Sequence, residues 1–181
     1  MPDYRRNRVP GGTYFFTVNL RDRSQDLLTR HIDQLRDAVR RTRIGSPFQI
    51  DAWVVLPDHM HCMWTLPAGD SDFPGRWKAI KAGFSAALPF EGTPSQEMAV
   101  HGHRGIWQRG YWEHTIRDER DYRLHMDYVH FNPVKHGYVT DPADWAYSTF
   151  VRSVKKGLYP AGWNGDGCSG SVLDAGERAE G

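Results

Sequence analysis

Two cysteines in 181 residues, Cys62 and Cys168, leave no material for a disulfide framework and no Cys-x-x-Cys spacing for a zinc knuckle. Both are expected to be free thiols. No apolar run approaches the roughly 18 residues that a membrane helix requires, and the opening Met-Pro-Asp-Tyr-Arg-Arg carries no apolar signal segment. A cytoplasmic protein without a membrane partner is therefore expected. Internal repeats and low-complexity domains are missing too, which excludes solenoid and fibrous classes. Net charge is also scarce, at +1. That average conceals an acidic end: residues 160–181 hold Asp166, Asp174, Glu177 and Glu180 against Arg178, a net −3 that leaves +4 on the rest. Basic residues cluster at Arg5, Arg6 and Arg8, at Arg36, Arg40, Arg41 and Arg43, at Arg76, Lys78 and Lys81, at Arg117, Arg120 and Arg123, and at Arg152, Lys155 and Lys156. Such clusters suit a phosphate backbone, but they equally suit solvated helix faces, so charge alone decides nothing.

With 39% hydrophobic and 13% aromatic residues, the chain can bury the core of one domain. We read that domain as residues 1–159, followed by a flexible acidic tail over 160–181, too Gly-rich and poor in apolar residues to order by itself. After Gly11-Gly12, the β-branched and aromatic run from Thr13 to Leu20 predicts a strand. Leu28, Ile32, Leu35 and Val39 recur at helical spacing and predict an amphipathic helix from Asp26 to Arg43. Phe48 to Leu56 and His59 to Leu66 read as strands joined by the turn Pro57-Asp58. A second helix follows, capped by Ser71 or Asp72, with Phe73, Trp77, Ile80, Phe84 and Leu88 as its buried stripe. Residues 89–105 read as a long loop, and Trp107 to Ile116 as another strand region interrupted at Gly110. A third helix starts near Asp118 and is expected to end at Asn132, because Pro133 disfavours helical geometry in the residue before it. The order β-α-β-β-α-β plus a helix predicts an α+β, ferredoxin-like fold: an antiparallel sheet with helices on one face and a C-terminal helix carrying Tyr128.

Alternation along the third strand puts His59 and His61 on one face, close enough to share a cation. A lone His-x-His is weak, as the pair His101 and His103 in the loop illustrates. On the third helix, Tyr128 and Asn132 lie one turn apart, which places an amide oxygen near a phenol. A phenol, a histidine pair and an amide can together transesterify a phosphodiester, the pair holding a cation while the phenolate attacks phosphorus. Spacing alone does not select Tyr128 from eight tyrosines; a tyrosine packed on the sheet would look the same.

Longer motifs do select it. Trp53-Val-Val-Leu-Pro-Asp-His-Met-His-Cys-Met-Trp64, Asp127-Tyr-Val-His-Phe-Asn-Pro-Val-Lys-His-Gly137 and Trp145-Ala-Tyr-Ser-Thr-Phe150 together strongly resemble the REP-associated tyrosine transposases, single-tyrosine members of the HUH endonuclease superfamily related to insertion-sequence transposases. The resemblance runs from Tyr4 to Pro160, with Asp174-Ala-Gly-Glu-Arg178 beyond. It implies a metal-dependent endonuclease and strand transferase acting on single-stranded DNA folded into repetitive extragenic palindrome hairpins. By this resemblance His59 and His61 match the metal ligands and Tyr128 the nucleophile, giving a 5′-phosphotyrosine and a free 3′-hydroxyl. Asn132 takes the place of a third ligand, where related insertion-sequence enzymes carry glutamine. Mg²⁺ is the expected ion, and imidazole ligands suit Mn²⁺ at least as well. Arg5, Arg6, Arg8 and Lys81 are candidates for contact with the DNA backbone, and a monomer is expected, related enzymes being dimers. Two other readings stay open: a catalytically silent regulator that binds hairpin DNA, and a metal hydrolase that uses water.

Overall fold

The computed structural model describes residues 6–89 and 105–166. Arg5, Cys168, the pair His101 and His103, most of the expected loop and the end of the expected tail lie outside them. Four antiparallel strands, β1 (Thr13–Asn19), β2 (Gln49–Val55), β3 (His59–Thr65) and β4 (Trp112–Thr115), form one sheet in the order β2-β3-β1-β4. With α1 (Leu27–Arg30), α2 (Ile32–Gly45), α3 (Phe73–Ala87) and α4 (Glu119–Lys135), this is the expected ferredoxin-like α+β arrangement. A short α5 (Phe150–Lys155) follows.

The period-2 pattern of the strands divides the side chains between two cores. Tyr14, Phe16 and Val18 of β1 join Met60, Cys62 and Trp64 of β3 beneath α2 and α3, where Trp64 stacks on Trp77 at 4.4 Å. Burial pushes the Cys62 thiol well above its ordinary value, so it behaves as an apolar core group. The stripe Phe73, Trp77, Ile80, Phe84 and Leu88 is buried throughout. Asp72 caps α3 by accepting the Gly75 N–H at 3.0 Å, with Pro74 in the first turn. Small residues set the spacing of α2 and α3: a Cβ on Gly83 would meet that of Ala38 at 3.3 Å. On the opposite face Phe15, Ala52, Val54 and Met63 pack against Met126, Tyr128 and Val129 of α4 and Phe150 of α5.

Three local expectations are corrected. The first helix is two, because His31 leaves helical geometry (φ −114°, ψ 40°) between α1 and α2. Arg76, counted in a basic cluster suited to a phosphate backbone or a solvated face, is only 3% exposed, its guanidinium bonded to Asp70 at 2.7 Å and to the carbonyls of Ser46 and Pro47. Finally, α4 runs through Pro133 to Lys135. Proline inside a helix removes one bond, but here the chain recovers at once. The N–H groups of Tyr138 and Gly137 donate to the carbonyls of Pro133 and Val134 at 3.0 and 2.9 Å, and Gly137 takes φ +74°. That double closure is a Schellman motif, which needs a left-handed residue and finds glycine.

The edge of β2 is covered by the segment after α4: the Val55 N–H donates to the Tyr147 carbonyl at 2.8 Å, and the Thr149 N–H to that of Trp53 at 2.9 Å. Beyond α5, Trp163 packs on Tyr159 with ring centroids 4.7 Å apart and on Phe150 at 5.6 Å.

Candidate active site

Odd-numbered positions of β1 and β3 face α4, and β1–β3 pairing sets Thr17 opposite His61 and Asn19 opposite His59. The two imidazoles lie edge to face, centroids 5.1 Å apart and planes at 82°. From the helix above, the Tyr128 ring meets His61 at 5.1 Å and Phe15 at 5.7 Å. Asn132, one turn on, is fully buried, and neither its amide oxygen nor its nitrogen has a hydrogen-bond partner. His59, His61 and Tyr128 are buried as well, at 2%, 0% and 2% exposure. The structure thus brings together on one sheet face the four residues singled out in the sequence.

Neighbours fix how the histidines present themselves. The Asp58 carboxylate accepts from His59 Nδ1–H at 2.8 Å, which leaves the lone pair on Nε2. Burial would raise the Asp58 pKa, but hydrogen bonds from His59 and Arg23 outweigh it and bring the group down to about 2. His61 Nδ1 is 2.8 Å from Thr17 Oγ1. Two imidazoles that share an ion at roughly 2.1 Å from each nitrogen have centroids about 5 Å apart, with ring planes that can both contain the ion. His59 and His61 meet both conditions, and the Asn132 amide could supply an oxygen ligand without losing an existing bond. These residues fit a divalent cation.

A second cluster, His114, Asp121 and His125, brings one ligand atom from each residue within 4.8 Å of the others, a grouping that could hold an ion. Its two rings, however, stack at 4.6 Å with planes only 13° apart, so no ion lies in both planes in this arrangement. Asp121 already accepts from His114 Nε2–H at 2.8 Å and from the Arg117 N–H and Nε–H at 2.9 and 3.1 Å. Burial works against its charge, but these donors hold Asp121 down at about 2. Burial first, then the neighbouring His114, lowers the His125 pKa.

The basic candidates fare differently. Arg8 is exposed. Arg6 pairs with Glu113 at 2.8 Å and covers the Tyr111 ring at 4.1 Å. Lys81 donates to the Gly110 carbonyl at 2.7 Å, and burial, then the charge of Arg6, lowers its pKa to about 8. Sequence reasoning passed over four residues around the site: Thr17, Arg23, Lys135, whose Nζ sits 5.2 Å from the centre of the Tyr128 ring, and His136, whose ring meets His59 at 5.2 Å. Only Asp58, adjacent to His59, carried a local signal for a supporting role.

The chain is 50% identical over 180 residues to the REP-associated tyrosine transposase of Escherichia coli K12, covering 98% of each chain. It is 42% identical over 167 residues to a putative REP-associated tyrosine transposase of Haemophilus influenzae, covering 92% of this chain and 95% of that one. A solved structure described as a REP-associated tyrosine transposase bound to a REP hairpin superposes with a TM-score of 0.78 at 50% identity, over 90% of this chain and 91% of the other. No family model matches. Fold and relatives define the class first: a transposase-type, DNA-processing protein. Within that class, the chain belongs to the REP-associated tyrosine transposase family.

Proposed function

We propose that this chain is a metal-dependent endonuclease and strand transferase for single-stranded DNA hairpins of the repetitive extragenic palindrome type. The observation that carries this reading is the meeting of Tyr128 with His59, His61 and Asn132 on one sheet face, the tyrosine ring 5.1 Å from that of His61. Support for the hairpin comes from the 50% identical relative whose structure is described as holding one. A divalent cation held by His59, His61 and Asn132, Mg²⁺ or Mn²⁺, would polarise a phosphate oxygen as a Lewis acid.

The remaining chemistry belongs to the protein. Tyr128 loses its phenolic proton to solvent, and its oxygen bonds to phosphorus as the P–O3′ bond breaks. The departing oxygen takes up a proton and becomes a 3′-hydroxyl, while the 5′ end stays on Tyr128 as a phosphotyrosine. One phosphodiester replaces another, so the reverse attack by a 3′-hydroxyl rejoins strands without a nucleotide cofactor. Asp58 and Thr17 hold the imidazoles, and Phe15 supports the ring of Tyr128.

The test is cleavage of an end-labelled hairpin carrying a short unpaired 5′ segment, with Mg²⁺ or Mn²⁺. Wild type is expected to give a denaturant-stable protein–DNA adduct, and Tyr128→Phe none. Adduct formation undiminished in Tyr128→Phe removes the nucleophile assignment. Hairpin binding without cleavage across both metals favours the silent DNA-binding regulator instead.

A further inference from the structure

We propose that Lys135 is a catalytic residue, its ammonium gripping the phosphate that Tyr128 attacks; this rests on the reading of Tyr128 as nucleophile. Lys135 lies on α4, two turns beyond Tyr128 and one beyond Asn132, on the same face of the helix. Its Nζ sits over the face of the Tyr128 ring, 5.2 Å from the centroid. Helical side chains lean toward the N-terminus, and this one uses its length to reach back along the helix to the phenol. A lysine that served only the helix dipole would gain as much by extending into water. Here the side chain is half-buried and its ammonium is shielded from solvent.

The position has a chemical purpose. A phosphoryl group under attack gains negative charge on its non-bridging oxygens, and that charge is stabilised by cations already in place. His59 and His61 approach Tyr128 from the sheet, where His61 meets its ring edge to face. Lys135 approaches from the helix, across the flat face of the same ring. A phosphate bonded to the phenol oxygen therefore lies between a metal-binding side and an ammonium side. In this role the Lys135 ammonium acts as a fixed cation and transfers no proton. Proline in the last turn of α4 does not prevent this, because the Schellman closure keeps Val134 and Lys135 helical.

Two measurements test it. In EDTA, hairpin affinity is measured for oligonucleotides carrying one uncharged methylphosphonate at each phosphate of the unpaired 5′ segment in turn. Wild type is expected to lose affinity severalfold at one position, and Lys135→Met to bind all of the oligonucleotides alike at that position. With metal, single-turnover adduct formation is expected to fall about 10²–10³-fold in Lys135→Met and to recover in part in Lys135→Arg, at unchanged melting temperature. A scan that Lys135→Met leaves unaltered, or one in which wild type senses no such phosphate, overturns the proposal. An adduct that persists in Tyr128→Phe overturns the nucleophile reading instead, and the metal-free scan still reports on Lys135.

Discussion

Asp58 carries more of the candidate site than its place in a turn suggests. Its carboxylate lies 2.8 Å from His59 Nδ1 and, as an acceptor, favours the tautomer that keeps the lone pair on Nε2. Arg23 pairs with Asp58 too, and the hydrogen bonds from His59 and then Arg23 overcome burial and keep the carboxylate ionised down to about pH 2. The pair thus contributes above the ordinary carboxylate range and is lost only as pH falls toward that value. Replacing Asp58 with Asn keeps the shape but removes the charge and the tautomer preference. We expect Mn²⁺ affinity, measured by calorimetry, to drop about 10–100-fold, with hairpin affinity in EDTA unchanged. A loss of hairpin affinity of the same size would instead mean that Asp58 shapes the DNA surface.

At the scale of elements, the closing turn of α4 has consequences for the site. Gly137 at φ +74° lets two N–H groups turn back on the last carbonyls, and so keeps Lys135 and His136 beside Tyr128 and His59. Gly137→Ala is expected to cost about 1–2 kcal/mol in thermal or denaturant unfolding, because alanine meets its own carbonyl in that conformation. The open space around Gly137 excludes a packing clash as the cause. This turn also shows where sequence reading stops. The strands were legible because aromatic and β-branched residues alternate cleanly, and the same alternation put His59 and His61 on one face. The end of α4 was not legible, since the rule against a helical residue before proline is local and here a tertiary contact with β2 and the Schellman closure override it. Arg76 looked like a surface cation for a similar reason: its acceptors, the carbonyls of Ser46 and Pro47, come from a turn 29 to 30 residues away. Thr17 and Arg23 join the site only through tertiary pairing, which no spacing in the chain announces, and Lys135, two turns from Tyr128 on the same helix face, was hidden by the expected helix end at Asn132.

At the scale of the whole molecule, a buried polar knot ties the tyrosine-bearing helix to the sheet. His130 of α4 sets Nδ1 3.1 Å from Tyr159 Oη and Nε2 2.8 Å from Thr149 Oγ1, both hydrogen-bonded, while Tyr159 donates to Asp127 at 2.9 Å. Burial, then the charge of Arg152, lowers the His130 pKa to about 3. Unfolded histidine titrates near 6.5, so between about pH 6.5 and 3 the unfolded chain binds the extra proton and stability falls with acidity. His130→Gln should flatten that limb of the melting-temperature profile; an unchanged acid limb would place the sensitivity elsewhere. The two cores have a further effect through the order in which the chain supplies them. β1 pairs with β3 across about fifty residues and with β4 across about a hundred, and α4 then closes over both. Contacts of such long range form slowly, because loop closure must be met before they reward it. The histidines are in place once the central strands pair, but the phenol arrives only with the last large element to dock. A half-folded copy therefore brings its two imidazoles together but lacks both the phenol and the Asn132 amide, so on the proposed reading neither the full ligand set nor the nucleophile exists until α4 docks.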